Sequence, residues 1–190
     1  MDFRILGPLE VYDDDGDAVE LGGRQQRLVL AMLLLHPNEV VSVDRLIDVV
    51  WGERAPASAV KNVRVHVSRL RKALEAGSRS GGSESRKGIV RTRANGYLLE
   101  VAPGELDVDR FQGLVEEGRL SLAAGDPERA ATTLREALAL WRGTPLADFT
   151  YDSFAQGEIG RLDELRLGAV EERIEADLAL GRHDDVSAEL

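Results

Sequence analysis

Residues 59–74, Ala-Val-Lys-Asn-Val-Arg-Val-His-Val-Ser-Arg-Leu-Arg-Lys-Ala-Leu, constrain this chain more than any other stretch. Val60, Val63, Val67, Leu70 and Leu74 recur at steps of three and four, which places them on one stripe of a helix. Beside the stripe stand Lys61, Asn62, Arg64, Val65, His66, Ser68, Arg69, Arg71 and Lys72, with no acidic residue until Glu75. One side of such a helix must be buried, and the other carries charge of a single sign. Solvated helix faces ordinarily mix signs. A uniformly basic, hydrogen-bonding face suits the major groove of DNA, where cations neutralise phosphates and Asn, Arg, Ser or a Val methyl can touch base edges.

The net charge of −10 opposes that reading until it is divided along the chain. Residues 1–104 hold 15 Lys/Arg and 14 Asp/Glu, whereas residues 105–190 hold 9 and 20. Within residues 61–93 the count is 10 against 2. A basic patch in one half and an acidic second half predict two domains with different partners. A length of 190 residues with 43% hydrophobic and 31% charged residues suits two small soluble domains. The longest apolar run, Leu28–Leu35, is too short to span a bilayer, and no secretory signal is legible at the start. The absence of cysteine excludes disulfides and thiolate metal sites, and fits a cytoplasmic protein.

The chain opens with three strand-like runs, Phe3–Leu6, Leu9–Tyr12 and Ala18–Leu21, which predict a small antiparallel sheet. The Asp13–Asp15 run beside Gly16 reads as a solvated turn rather than a metal or phospho-acceptor site. A buried helix follows from Arg24 to Leu35, closed by His36-Pro37. Arg24 and Arg27 at its start are candidate phosphate contacts, weighed evenly against plain solvation. Ser42 caps a second helix ending at Val50-Trp51-Gly52, and Pro56-Ala57-Ser58 introduces the third, basic helix. Three helices with the last one basic make a helix-turn-helix. After a Gly/Ser stretch at 77–87, expected to be a mobile loop, the runs Gly88–Arg93 and Tyr97–Val101 flank Ala94-Asn95-Gly96, a hairpin signal. Arg91 and Arg93 on that hairpin would form a wing directed at a narrow minor groove.

From Asp107 onward the pattern is helical, with a stripe of Phe111, Leu114, Val115, Gly118 and Leu122, then a Gly125-Asp126-Pro127 turn and a partner helix from Ala130 to Trp141. A short loop or helix at 148–152 leads into one long helix over 153–180. Leu122–Leu134 aligns with Leu178–Leu190 at matching Leu, Ala and Gly positions. A helix, a Gly turn and a helix, repeated, predict a tetratricopeptide-like array, and its end inside the second pair predicts a truncated one. The fold class expected is therefore an α+β winged helix-turn-helix at 1–102 followed by an all-α helical-repeat domain at 107–190. No enzyme constellation is present. His36, His66 and His183 are isolated, and neither a P-loop nor a Gly-x-Ser-x-Gly motif occurs. Trp51 and Trp141 read as core or interface residues rather than cofactor stackers. The carboxylates of the second half, Glu171, Glu172 and Glu175 among them, read as a solvated face whose functional alternative is a basic patch on a partner. No cofactor or metal is implied.

Leu28-Val-Leu-Ala-Met-Leu-Leu-Leu, Val43-Asp-Arg-Leu-Ile-Asp-Val-Val-Trp-Gly, Val65-His-Val-Ser-Arg-Leu-Arg-Lys-Ala-Leu and Asn95-Gly-Tyr-Leu-Leu resemble the OmpR/PhoB-type winged helix. Asp107-Val-Asp-Arg-Phe and Ala137-Leu-Ala-Leu-Trp-Arg-Gly resemble the bacterial transcriptional activation domain. In that order the two are similar to the Streptomyces antibiotic regulatory protein (SARP) family, including its larger AfsR-like members. The resemblance implies an activator that binds direct repeats upstream of the −10 region as side-by-side protomers. It also implies contact with RNA polymerase holoenzyme, through sigma region 4 and other subunits, and control of antibiotic genes. Residue by residue it implies that Arg69 reads a base and Val65 meets a thymine methyl. Lys61, Asn62, His66, Ser68 and Arg71 would surround those contacts, Arg93 would enter the minor groove, and Trp51 would lie near a phosphate. Arg64, Lys72 and Arg91 complete the expected DNA-binding set from their place on the basic surfaces. The competing expectation is a helical-repeat interaction module whose basic helix binds an acidic protein.

Overall fold

The computed structural model describes residues 1–77 and 88–183. Most of the Gly/Ser stretch, and the second repeat copy beyond His183, lie outside the described residues. The chain forms two compact units, one of Met1–Ile5 with Leu9–Leu106, the other of Leu6–Pro8 with the chain from Asp107 onward.

In the first unit β1 (Asp2–Arg4) pairs antiparallel with β2 (Glu10–Tyr12), setting buried Phe3 opposite buried Val11. The Asp13 carboxylate accepts the N–H groups of Asp15 (3.0 Å) and Asp17 (2.8 Å), so the acidic run is the self-bonded turn that was expected. The third expected strand shrinks to a single bridge at Ala18. Its end turns away because the Leu21 carbonyl accepts from Gln26 Nε2 instead of continuing a ladder. β1 likewise stops short of Leu6, whose N–H and carbonyl bond to Asp107 and Arg142 within the second unit.

Helix α1 (Arg24–Leu34) is buried continuously from Leu28 to Leu34, as an all-round apolar helix requires. Asn38 leaves it in the left-handed region (φ 63°), and its side chain brackets Val101 with two hydrogen bonds of 2.9 and 3.0 Å. Helix α2 (Val43–Trp51) starts at Ser42, whose hydroxyl accepts from the Arg45 N–H as an N-cap. Helix α3 (Ala59–Gly77) buries Ala59, Val63, Val67, Leu70 and Leu74. Val60, expected in that stripe, is 43% exposed. Ala59 and Val60 lie equally far from the stripe's axis on the helical wheel, and packing at the start of α3 selects the smaller side chain.

Strands β3 (Val41–Ser42), β4 (Val90–Arg93) and β5 (Gly96–Leu99) form an antiparallel sheet in the order β3-β5-β4. Arg93 pairs with Gly96, so of the Ala94-Asn95-Gly96 signal the turn takes Ala94-Asn95, and neither turn residue has positive φ. Gly96 is needed for a different reason. A Cβ there would lie 2.0 Å from the Val41 carbonyl oxygen.

The second unit contains α4 (Asp107–Ala123), α5 (Pro127–Ala139), a 3-10 turn (Ala147–Phe149) and α6 (Ser153–Ala179). Gly118 lets α5 approach α4, since a Cβ on it would meet Leu134 Cγ at 2.6 Å. Trp141 packs edge-on against Phe111 at 5.3 Å. The two repeat copies end their first helices alike. Gly125 (φ 76°) and Gly181 (φ 75°) donate to Leu122 and Leu178, while Asp126 and Arg182 donate to Ser121 and Asp177. Those pairs are the two bonds of a Schellman cap, repeated at the same offsets. No helix among the described residues is long and apolar enough to cross a membrane.

Candidate nucleic-acid interface

Burial of Val63, Val67, Leu70 and Leu74 fixes the rotation of α3, and with it the face turned outward. Along that face run Lys61, Arg64, Val65, Ser68, Arg69 and Lys72, all exposed. Val65, at 39% exposure, is a β-branched side chain without a core to fill. From Lys61 to Lys72 the row covers about 16 Å at the α-helical rise. None of its cations has a carboxylate among the ion pairs of the described residues.

The half-buried residues lie on the flanks. Asn62 and His66 occupy one of them. Asn62 Nδ2 donates to Ser58 Oγ (3.2 Å), and the His66 ring tilts against Trp51 of α2 at 6.2 Å. His66 Nδ1 is buried with no hydrogen-bond partner. Burial, and then the charge of Arg69, hold the imidazole below its ordinary pKa of 6.5. His66 is therefore neutral at pH 7, a donor or acceptor rather than a cation.

Arg71 occupies the opposite flank and faces the hairpin. Its Nε donates to the Val90 carbonyl and its Nη2 to Thr92 Oγ1, each at 2.7 Å, while its guanidinium lies 5.8 Å from the Tyr97 ring centre. On the hairpin itself Arg91 is held by Glu100 through contacts of 2.6 and 2.7 Å. Arg93, beside the turn, is exposed, and among the described residues it donates to its neighbour's carbonyl at 3.5 Å.

The structure thus brings Lys61, Arg64, Val65, Ser68, Arg69 and Lys72 onto one surface, with Trp51, Asn62 and His66 along its edge. It turns Arg71 and Arg91 toward protein partners. Arg27, an expected phosphate candidate, donates to the Leu9 carbonyl at 2.8 Å. Sequence reasoning passed over Glu75, whose carboxylate accepts the Gly88 N–H (3.4 Å), and over Thr92. The available signal was Glu75 as the lone acid of the basic segment, one helical turn after Arg71.

A three-helix unit with a β-hairpin wing, a one-signed face on its third helix and a following helical-repeat unit defines a transcription-regulator architecture. Two family profiles agree: "Transcriptional regulatory protein, C terminal" matches residues 16–99, and "Bacterial transcriptional activator domain" matches residues 106–190. The chain belongs to the Streptomyces antibiotic regulatory protein family of transcriptional regulators. It is 37% identical to Regulatory protein DnrI of Streptomyces peucetius over 190 residues, covering 100% of this chain and 70% of that protein. It is 36% identical to Regulatory protein AfsR of Streptomyces coelicolor, covering 99% of this chain but 18% of that protein. The solved structure of Mycobacterium tuberculosis EmbR in complex with a low-affinity phosphopeptide superposes with a TM-score of 0.91 at 34% identity. That match covers 99% of this chain and 48% of EmbR.

Proposed function

We propose that the chain is a sequence-specific DNA-binding activator, with residues 1–102 as the DNA-binding half and 107–190 as the activation half. The observation that carries this reading is the exposed row on α3, cationic throughout and punctuated by Val65 and Ser68. Lys61, Arg64 and Lys72 neutralise phosphates, Arg69 reads a base edge and Val65 meets a thymine methyl. Arg93 enters the minor groove beside the helix. As the family resemblance implies, side-by-side protomers would occupy direct repeats upstream of the −10 region. The bound chain would then recruit RNA polymerase through sigma region 4 and other subunits, at antibiotic-biosynthesis promoters.

The test is selection of duplexes from a random library by the chain, followed by fluorescence anisotropy on the enriched sequence over a salt series. Neutralising about 4–6 phosphates per protomer gives a log–log salt slope of about −4 to −5. A direct repeat in the selected pool supports side-by-side binding. Equal displacement by scrambled DNA would leave α3 as a charged surface, and the chain as an interaction module for an acidic protein.

A further inference from the structure

We propose that Arg71 is a positioning residue for the wing and not a DNA contact, acting with Glu75 as a two-point clamp between α3 and the hairpin. The inference rests on the DNA-binding reading above and assigns these two residues within it. Arg71 and Glu75 are four positions apart, so they project from one flank of α3. Glu75 takes the Gly88 N–H, just before β4. Arg71 takes the Val90 carbonyl and the Thr92 hydroxyl within β4. Thr92 pairs across the sheet with Tyr97, over whose ring the same guanidinium sits. The anchor points, Gly88, Val90 and Thr92, therefore fall at alternate residues leading into β4 and toward Arg93. The fork geometry of a guanidinium lets one side chain bond a backbone carbonyl and a side-chain hydroxyl together, which a lysine ammonium on a flexible stem does not reproduce.

Glu75 is the single acid between Lys61 and Gly77, and the clamp gives it a purpose that a phosphate-binding helix otherwise lacks. A carboxylate in that segment weakens attraction to DNA, yet here it ties down the start of the wing strand. Arg71 likewise spends its Nε and Nη2 donors inside the protein. The consequence for function is that the spacing between the α3 row and Arg93 is set by this clamp. Loss of the clamp costs affinity through Arg93 rather than through a missing charge at position 71.

The deciding experiment measures binding of the full chain to its selected duplex for Arg71→Lys, Arg71→Ala, Thr92→Val, Arg93→Ala and the Arg71→Lys/Arg93→Ala double variant. Hydrogen exchange of the hairpin amides is measured alongside. Arg71→Lys and Arg93→Ala are each expected to weaken binding by about fivefold to a hundredfold, the range of one well-made side-chain contact. Thr92→Val, which leaves every charge in place, is expected to move affinity in the same direction. The double variant is expected to bind within about twofold of Arg93→Ala alone, the signature of residues acting through one another. The amides of Arg91 and Leu98, which face each other across the hairpin ladder, are expected to exchange faster in Arg71→Lys while those of α1 do not. Affinity retained by Arg71→Lys but lost by Arg71→Ala would overturn the clamp and make position 71 a charge contact to phosphate. Additive losses in the double variant would overturn it as well. If the unaltered chain shows no preference for the selected duplex, the DNA reading fails. Hydrogen exchange then still decides whether Arg71 holds the hairpin.

Discussion

Arg69 and His66 are three residues apart on α3 yet sit in different surroundings, one exposed and the other half-buried against Trp51. Removing a bidentate Arg–guanine contact costs about 1–3 kcal/mol. Arg69→Ala should therefore lower the ratio of specific to random affinity, as read in competition anisotropy. An unchanged ratio would remove Arg69 from base recognition. Lys72→Ala should weaken all sequences alike and flatten the salt slope by about one, as expected of a phosphate contact. For His66 the folded state resists protonation, so the unfolded chain binds more protons just below pH 6.5. Its contribution to stability is complete above that pH, declines as pH falls through it, and levels off beneath the folded pKa. Thermal melts from about pH 5.5 to about pH 7.5 should show this decline in the unaltered chain and not in His66→Gln. Parallel curves would mean that His66 titrates normally.

At the scale of elements, glycines with opposite roles give the sharpest contrasts. Gly96→Ala forces a Cβ onto the Val41 carbonyl, where backbone meets backbone, so neither side can yield. A loss of about 4 kcal/mol or more, or failure to fold, is expected in urea denaturation, placing it among the exceptional point mutations. Gly157, Gly160 and Gly168 lie inside α6 with open space around them. Replacing any of these with Ala should stabilise the chain by about 0.5–1 kcal/mol, by helix propensity alone. The elements themselves were largely legible. Ser42 as an N-cap, the all-apolar α1 and the Gly125 turn follow from local chemistry within a few residues. The misread places were decided by contacts that pattern does not record: the distant Val41 carbonyl at Gly96, the Gln26 side chain at the end of the Ala18–Leu21 run, and packing at the start of α3 for Val60.

At the scale of the whole molecule the charge separation is built into the two units. In the second unit the arginines are largely matched within the protein. Arg119 pairs with Glu172, Arg129 with Glu117 and Arg161 with Glu158. Arg135, Arg173 and Arg182 gather around the buried Asp177. Burial pushes the Asp177 carboxyl up, but hydrogen bonds from Arg182 and Arg135, with the surrounding positive charge, bring it below its ordinary 3.8. A lowered folded pKa means stability that is present above the unfolded value and lost as pH falls through the folded one. Asp177→Asn should therefore remove part of the acid sensitivity below about pH 4. It should also destabilise the chain at neutral pH by about 3 kcal/mol, the low end for a broken buried pair because Arg135 and Arg182 are partly solvated. Equilibrium unfolding of the full chain at both pH values checks the two effects together.

By itself the sequence determined the two-part organisation, the order of helices and hairpin, and the one-signed face of α3. Those properties reside in periodicity, capping residues and local charge, each expressed within one or two helical turns. The outward row from Lys61 to Lys72 was legible for the same reason, since burying the apolar stripe fixes where the opposite face points. Only tertiary structure decided which basic residues belong to that row. Arg71 and Lys72 are neighbours of like charge, indistinguishable in a charge count. One meets a strand that returns after the Gly/Ser stretch, and the other meets solvent. Contacts closed across a long stretch of chain leave no periodic trace in sequence, so the clamp, the true role of Gly96 and the approach of Arg135 to Asp177 appear only once the chain is folded.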